Sequence, residues 1–391
     1  MNRSATRIRP AERFRGGSAG AAELVDRVDG MADRLRTGAA AAASGMPDLS
    51  ASLDLLRHEG VLCAVLPAEI GGCGLGVVPG TARTLCDLLR RLGRADLALA
   101  RLVEGHVNAA LLVEVHGDRP ARDAMRAAVR DGALLGVWGA DGPRPMEWTD
   151  RPPREVVLRG EKRFASGLGH VALALVTATA RPGAPARMFL VPALDPARHD
   201  HASWTASAMR ATRSGTFDAT GIAIGPEAVV GGAGDLLVEP WFEGGVWRYC
   251  AAHVGGAEGL VERWIEHLRR TGRADDAVQR ARLGRALAAA GAARAVVEAA
   301  ADAVEGAADA PPDAVERAVS QSLLAREAVE MLCTEVLALA ERSLGMAAHD
   351  GDGPVDRMRR DLSLFLRQAA PDAKLDRAVG TVLAAGTDAF R

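Results

Sequence analysis

The sequence predicts a multi-domain α+β protein: an N-terminal helical domain, a central β-domain and a C-terminal four-helix bundle. Three observations predict it. Apolar residues make up 48% of the chain but aromatic residues only 4%, so the core is aliphatic and rich in the helix formers Ala and Leu. Short β-like runs broken by Gly, Pro, Asp and Ser are confined to one central stretch. Long helical segments with short links then fill the remainder. A chain of 391 residues suits two or three packed units.

Residues 1–20 carry Arg3, Arg7, Arg9, Arg13 and Arg15 among Pro10, Gly16 and Gly17, with no apolar stretch like that of a signal peptide. They are expected to form a disordered tail. Residues 21–132 read as helices punctuated by Gly and Pro. Asp48 and Ser50 offer caps before Leu53, Leu55 and Leu56, and the stretch LPAEIGGCGLG at 66–76 is a glycine-dense loop. Residues 133–240 hold the β-like runs, at 133–138, 155–158, 171–178, 188–191, 216–219 and 221–224. Frequent turn signals between them argue for a compact β-domain rather than βαβ units. Residues 241–391 give four long helices, at 251–268, 275–305, 313–344 and 354–383, with Pro311 and Pro312 marking a start and Gly345 a stop.

Composition excludes several functions. Formal net charge is -2, from 48 basic and 50 acidic residues, so no global field attracts nucleic acid or an anionic membrane. Only Lys162 and Lys374 are lysines; the other basic residues are arginine, which makes a lone Arg weak evidence for a phosphate site. Cys63, Cys73, Cys86, Cys250 and Cys333 are scattered without a CxxC pair. Neither a disulfide framework nor a zinc site is expected, and a cytoplasmic location fits. No charge-free apolar run reaches the roughly 18 residues that a membrane span needs. His199 and His201 flank Asp200 in a solvated turn rather than a metal site, and the 71–76 glycines lack the strand and the Lys-Ser/Thr of a phosphate loop.

Five local patterns, in order, carry a resemblance. They are LPAEIGGCG at 66–74, LRGEKRFASG at 158–167, and MRATRSGT at 209–216 followed by IGPE at 224–227. RRTG at 269–272 with Gln279, and MRRD at 358–361, complete the set. Together they resemble the acyl-CoA dehydrogenase family over roughly residues 50–385. The resemblance implies bound FAD. It sets Phe164 and Ser166 beside the flavin ring, two residues apart and on one face if that segment is a strand. It sets Trp138 at the strand before a flavin-contacting turn, although Trp138 also reads as core and the turn here is Gly139-Ala140-Asp141. It assigns Arg270, with Arg269 as the alternative register, to the pyrophosphate of a neighbouring subunit's FAD, and hence a homodimer or homotetramer, and it counts Gln279 among the cofactor-binding residues.

Dehydrogenating an acyl thioester needs a carboxylate base near the α-carbon. The family's usual Glu, shortly before the last helix, aligns with Ala369. Its alternative, on the first bundle helix, aligns with Tyr249, beside Arg248. Both positions lack a carboxylate, which leaves Asp372 and Glu243 as candidate bases and Tyr249 and Arg248 as substrate contacts. Three readings follow. The first is an FAD-dependent oxidoreductase acting on a CH–CH group of an acyl thioester, acyl-CoA or a related small molecule, with a separate electron acceptor. The second is a flavin-dependent monooxygenase served by a flavin reductase, with His106 or His170 near the flavin. The third is a non-catalytic binding subunit.

Overall fold

The computed structural model describes residues 18–43, 48–152, 155–351, 353–368 and 370–385. Residues 1–17, most of the expected tail, lie outside the described residues, and 18–20 already open the first helix. The N-terminal region comprises α1 (Ser18–Gly30), α2 (Ala32–Ala43), α3 (Ser50–His58), α4 (Ala82–Ala95), α5 (Leu97–His116) and α6 (Arg119–Arg130). Asp96 starts α5 by accepting from the Ala98 and Leu99 amides at 2.8 and 3.2 Å, and Asp118 caps α6 through the Ala121 amide. Sixteen of the twenty residues of α5 are buried, so this helix is apolar on nearly every side and acts as a central post.

The β-region holds β1 (Leu134–Trp138), β2 (Glu147–Arg151), β3 (Glu155–Arg159), β4 (Glu161–Lys162) and β5 (Val171–Ala178), then β6 (Arg187–Pro192), β7 (His199–Asp200), β8 (Thr216–Asp218), β9 (Ala223–Ile224) and β10 (Val229–Val230). They form one four-stranded sheet, ordered β1-β5-β6-β10, and two three-stranded ones, β2-β3-β9 and β4-β8-β7. β1 runs parallel to β5, with Trp138 opposite Val176. β2 has no counterpart among the expected runs: its sequence, Glu-Trp-Thr-Asp-Arg, is polar and largely exposed, so it lacks an apolar alternation.

The C-terminal region contains α7 (Trp247–Arg270), α8 (Ala277–Gly306), α9 (Pro312–Leu344), α10 (Pro354–Phe365) and α11 (Pro371–Ala385). The expected fourth helix over 354–383 is therefore two helices. Pro371 has no N–H to continue a helix, and Ala370 before it takes a left-handed backbone with φ 52°. α4 and α7 cross at very short range. A Cβ on Gly255 would lie 1.9 Å from the Arg90 carbonyl oxygen, and one on Gly93 2.4 Å from that of Ala252. Glycine at these positions lets the two backbones touch and joins the N-terminal helices to the bundle. Among the described residues, no helix is long and apolar enough to cross a membrane.

Candidate active site

Two adjoining chambers lie where the three regions meet. The larger, about 640 Å³, is walled by Trp138, Phe164, Trp204 and Phe365. Trp138 is only 2% exposed; its indole packs 5.0 Å from Phe217 and its Nε1 donates to the Ser166 carbonyl at 3.0 Å. It is a core residue and a chamber wall at once. Phe164 stands at the mouth with the Arg163 guanidinium stacked 4.6 Å from its ring centroid. The expectation that Phe164 and Ser166 share a strand face is corrected: β4 ends at Lys162, and Phe164 sits on the following bend with φ 56°. Both side chains reach the chamber through that turn, not through strand alternation.

A line of hydroxyls borders the same chamber. Ser166 Oγ lies 3.1 Å from Ser214 Oγ, which lies 2.7 Å from Thr212 Oγ1, and Thr212 donates to the Met209 carbonyl at 2.6 Å. The lining includes Arg101, Arg163 and Arg367 and no carboxylate. An aromatic slot with three guanidiniums and three hydroxyls fits a planar, phosphate-bearing heterocycle such as a flavin nucleotide.

The turn after β1 closes one side of this slot, and Lys162 holds it. Its side chain is 1% exposed, and Nζ donates to Asp141 Oδ1 at 2.6 Å, Thr177 Oγ1 at 2.9 Å and the Gly139 carbonyl at 3.2 Å. Burial pulls the ammonium's pKa below its usual value, against the opposing charge of Asp141.

The second chamber, about 240 Å³, shares Arg101, Val137, Gly139 and Gln368 with the first. On its α5 side Arg101 donates to Glu104 Oε2 at 2.6 Å. Asn108 donates to the other oxygen of Glu104 and accepts from Arg248 Nε at 2.5 Å. Across the chamber Glu243 receives Lys374 at 3.2 Å and Arg377 at 2.6 Å. Burial pushes the Glu243 carboxyl up, but these two cations outweigh it and hold the group below the usual carboxylate range. Tyr249 is 5% exposed, and its Oη has no hydrogen-bond partner among the described residues. Arg326 lies nearby, but its N–H groups go to Glu327, Glu330 and the Leu366 carbonyl.

This geometry can be set beside known proteins. Residues 248–367 match the family described as acyl-CoA dehydrogenase, C-terminal domain. The chain superposes on FMN-bound TdsC from Paenibacillus sp. A11-2 with a TM-score of 0.82 and 20% identity, over 93% of this chain and 98% of that one. KijD3, solved with FMN and a dTDP-linked amino keto sugar, superposes with a TM-score of 0.80 and 20% identity, over 98% and 97% of the two chains. The chain has the acyl-CoA dehydrogenase-like fold. Among curated proteins, a dibenzothiophene monooxygenase from Rhodococcus erythropolis is 25% identical over 215 residues, 52% of this chain. The match spans about half the length, 50%, of that relative.

Within the acyl-CoA dehydrogenase-like fold, the residues singled out from sequence separate into two groups. Trp138, Phe164 and Ser166 line the larger chamber; Glu243, Arg248 and Tyr249 line the smaller one. The others stand apart from both. Arg270 is exposed at the end of α7, where it meets His267 at 3.1 Å. Gln279 is 2% exposed inside the bundle and accepts from Ser343, so its amide oxygen is engaged away from the chambers. Asp372 is exposed in the first turn of α11 and lines neither chamber. Ala369 lies outside the described residues. His106 is fully buried with both nitrogens used: Nδ1 accepts from the Leu135 amide at 3.0 Å and Nε2 donates to the Leu62 carbonyl at 2.8 Å. It is a core histidine and not a chamber residue. His170 pairs with Asp48 at 3.3 Å, also outside the lining. His199 bonds the Ala193 carbonyl at 2.9 Å.

Sequence reasoning missed Arg101, Glu104, Asn108, Lys162 and Lys374. Arg101, Glu104 and Asn108 share a face of α5 at helical spacing. Charged and amide side chains on an otherwise apolar helix were the available signal. For the lysines it was rarity: in an arginine-dominated chain both are buried beside the site.

Proposed function

We propose that this protein is a flavin-dependent monooxygenase that takes reduced flavin from a separate reductase, with FMN as the flavin. One observation carries the reading. The slot suited to a flavin is built, while no carboxylate beside it is available as a thioester base. Glu243 is held by Lys374 and Arg377, Glu104 by Arg101 and Asn108, and Asp372 is outside. The Rhodococcus relative's monooxygenase activity and the FMN bound by TdsC and KijD3 support the same choice. FMN is preferred to FAD because TdsC and KijD3 were both solved with FMN.

Reduced FMN would supply the electrons for activating dioxygen. The chain's part is positional. Trp138 and Phe365 exclude water from the slot. Ser166, Ser214 and Thr212 offer a hydrogen-bond line at its edge. The guanidinium of Arg163, stacked on Phe164, favours the anionic cofactor, whereas Arg101 and Arg367 are paired with Glu104 and Glu330. The substrate occupies the smaller chamber and meets the flavin at the wall formed by Val137, Gly139 and Gln368. A homodimer or homotetramer remains part of the proposal.

The test is a coupled assay in air: protein loaded with FMN, a flavin reductase and NADH, with indole, dibenzothiophene and small organic acids as trial substrates. A product heavier by one oxygen atom supports the reading. Anaerobic bleaching of the bound flavin by an acyl-CoA thioester would return the dehydrogenase reading to first place. Failure to bind FMN or FAD would favour the non-catalytic subunit.

A further inference from the structure

Among the described residues, the smaller chamber has one cation without an ionic partner. Arg101 has Glu104 at 2.6 Å, Lys374 has Glu243 at 3.2 Å, and Arg377 behind it has Glu239 at 2.7 Å. Arg248 is 5% exposed and, among the described residues, forms no ion pair. Its Nε is fixed by Asn108, and its two terminal nitrogens make no hydrogen bond to a described residue. The nearest carboxylate charge, Glu104, is already shared by Arg101 and Asn108. Burial lowers the guanidinium's pKa only to about 10, so it is charged at neutral pH.

The surroundings are shaped for this side chain. A Cβ on Gly245 would lie 2.0 Å from an Arg248 terminal nitrogen, so glycine there leaves the guanidinium its place at the chamber wall. A buried charge lacking a counter-ion is costly, and an unpaired fork of N–H groups is the usual receptor for a carboxylate or a similar oxyanion. Leu112, Leu175, Met188 and Trp241 give the chamber an apolar wall, while its other charged groups, Arg101 with Glu104 and Lys374 with Glu243, are already paired. Its volume of about 240 Å³ is below the ~300–1,000 Å³ usual for drug-sized ligands.

We infer that the substrate is a small organic anion, with an apolar body in the smaller chamber and its carboxylate, or an equivalent oxyanion, on Arg248. This rests on the reading that the smaller chamber receives the substrate. The anion completes the relay Arg101, Glu104, Asn108, Arg248, and its binding fixes which end of the molecule faces the flavin.

The experiment compares isosteric probes by calorimetry: benzoate against benzamide, and isobutyrate against isobutyramide, on flavin-free and FMN-loaded protein. The acids are expected to bind about tenfold or more tightly than the amides, the scale of a charge-assisted pair. Arg248→Met removes that preference, Arg248→Lys keeps part of it, and neither alters FMN affinity. Equal binding of acid and amide by the wild type overturns the proposal without any variant. Retained acid preference in Arg248→Met overturns it, as does a loss of FMN affinity without loss of riboflavin affinity, which would assign Arg248 to the cofactor's phosphate. Loss of the oxygenase reading is recognised separately, because the probe comparison on flavin-free protein needs no turnover.

Discussion

At the scale of single residues, the site depends on charges buried in assigned pairs. Lys162 and Asp141 differ in exposure, at 1% and 44%, and this asymmetry makes their removal unequal. Asp141→Asn leaves a buried ammonium with only neutral partners and is expected to cost about 2 kcal/mol. Lys162→Met leaves a half-exposed carboxylate that water can solvate and is expected to cost less. Urea unfolding of both variants checks the order, and both should weaken FMN binding because both loosen the turn at Gly139. Ser166→Ala removes one member of the hydroxyl line. A loss of about tenfold in reductase-coupled product formation is expected, the worth of one such hydrogen bond, with the fold unchanged by circular dichroism. Sequence alone marked Phe164, Ser166 and Trp138 because local motifs carry them. It missed Glu104 and Asn108 because their meaning comes from Arg248, 140 positions from Asn108 in the chain.

At the scale of elements, most helices and strands were legible and their joints were not. The sequence located α8, α9 and β5, expected at 275–305, 313–344 and 171–178 and found at Ala277–Gly306, Pro312–Leu344 and Val171–Ala178. The break between α10 and α11 was also present in the sequence, at Pro371, yet the helical pattern runs through it on both sides. β2 was invisible because its pairing with β3, not its own apolar content, makes it a strand. The contact of α4 with α7 depends on glycines in two distant segments, whose purpose emerges only when the helices cross. Gly255→Ala would place a methyl 1.9 Å from the Arg90 oxygen. The helices must separate, and a loss of about 3 kcal/mol in unfolding free energy is expected, measured by denaturant titration. Gly284, with nothing within 4 Å of its added Cβ, is the control: replacing it by Ala, past the first turn of α8, should raise stability by up to about 1 kcal/mol.

At the scale of the whole molecule, buried titrating groups set the response to acid. Burial holds His106 at about 4 and His253 at about 3. Both are depressed, so their stabilising effect is complete above the ordinary histidine range and is lost as pH falls through those values. Asp361 behaves oppositely. Burial raises its carboxyl to about 6, although the Met209 amide donates to it at 2.5 Å. Its contribution is complete below the ordinary Asp value and is lost as pH rises through about 6. At pH 5 the two histidines make the unfolded chain bind two more protons than the native one, and Asp361 offsets one of them. Asp361→Asn, which keeps an acceptor for Met209, should steepen the fall of stability between pH 6 and pH 5 by most of one proton, about 1 kcal/mol over that interval. Denaturant midpoints at the two pH values test this. The two lysines, 1% and 8% exposed, have a consequence for chemical labelling. Apart from its α-amino group, the folded protein offers an acylating reagent almost no amine. An N-hydroxysuccinimide ester should leave the native chain nearly unmodified at Lys162 and Lys374 and acylate both in urea, so that each added mass counts the opening of one chamber wall.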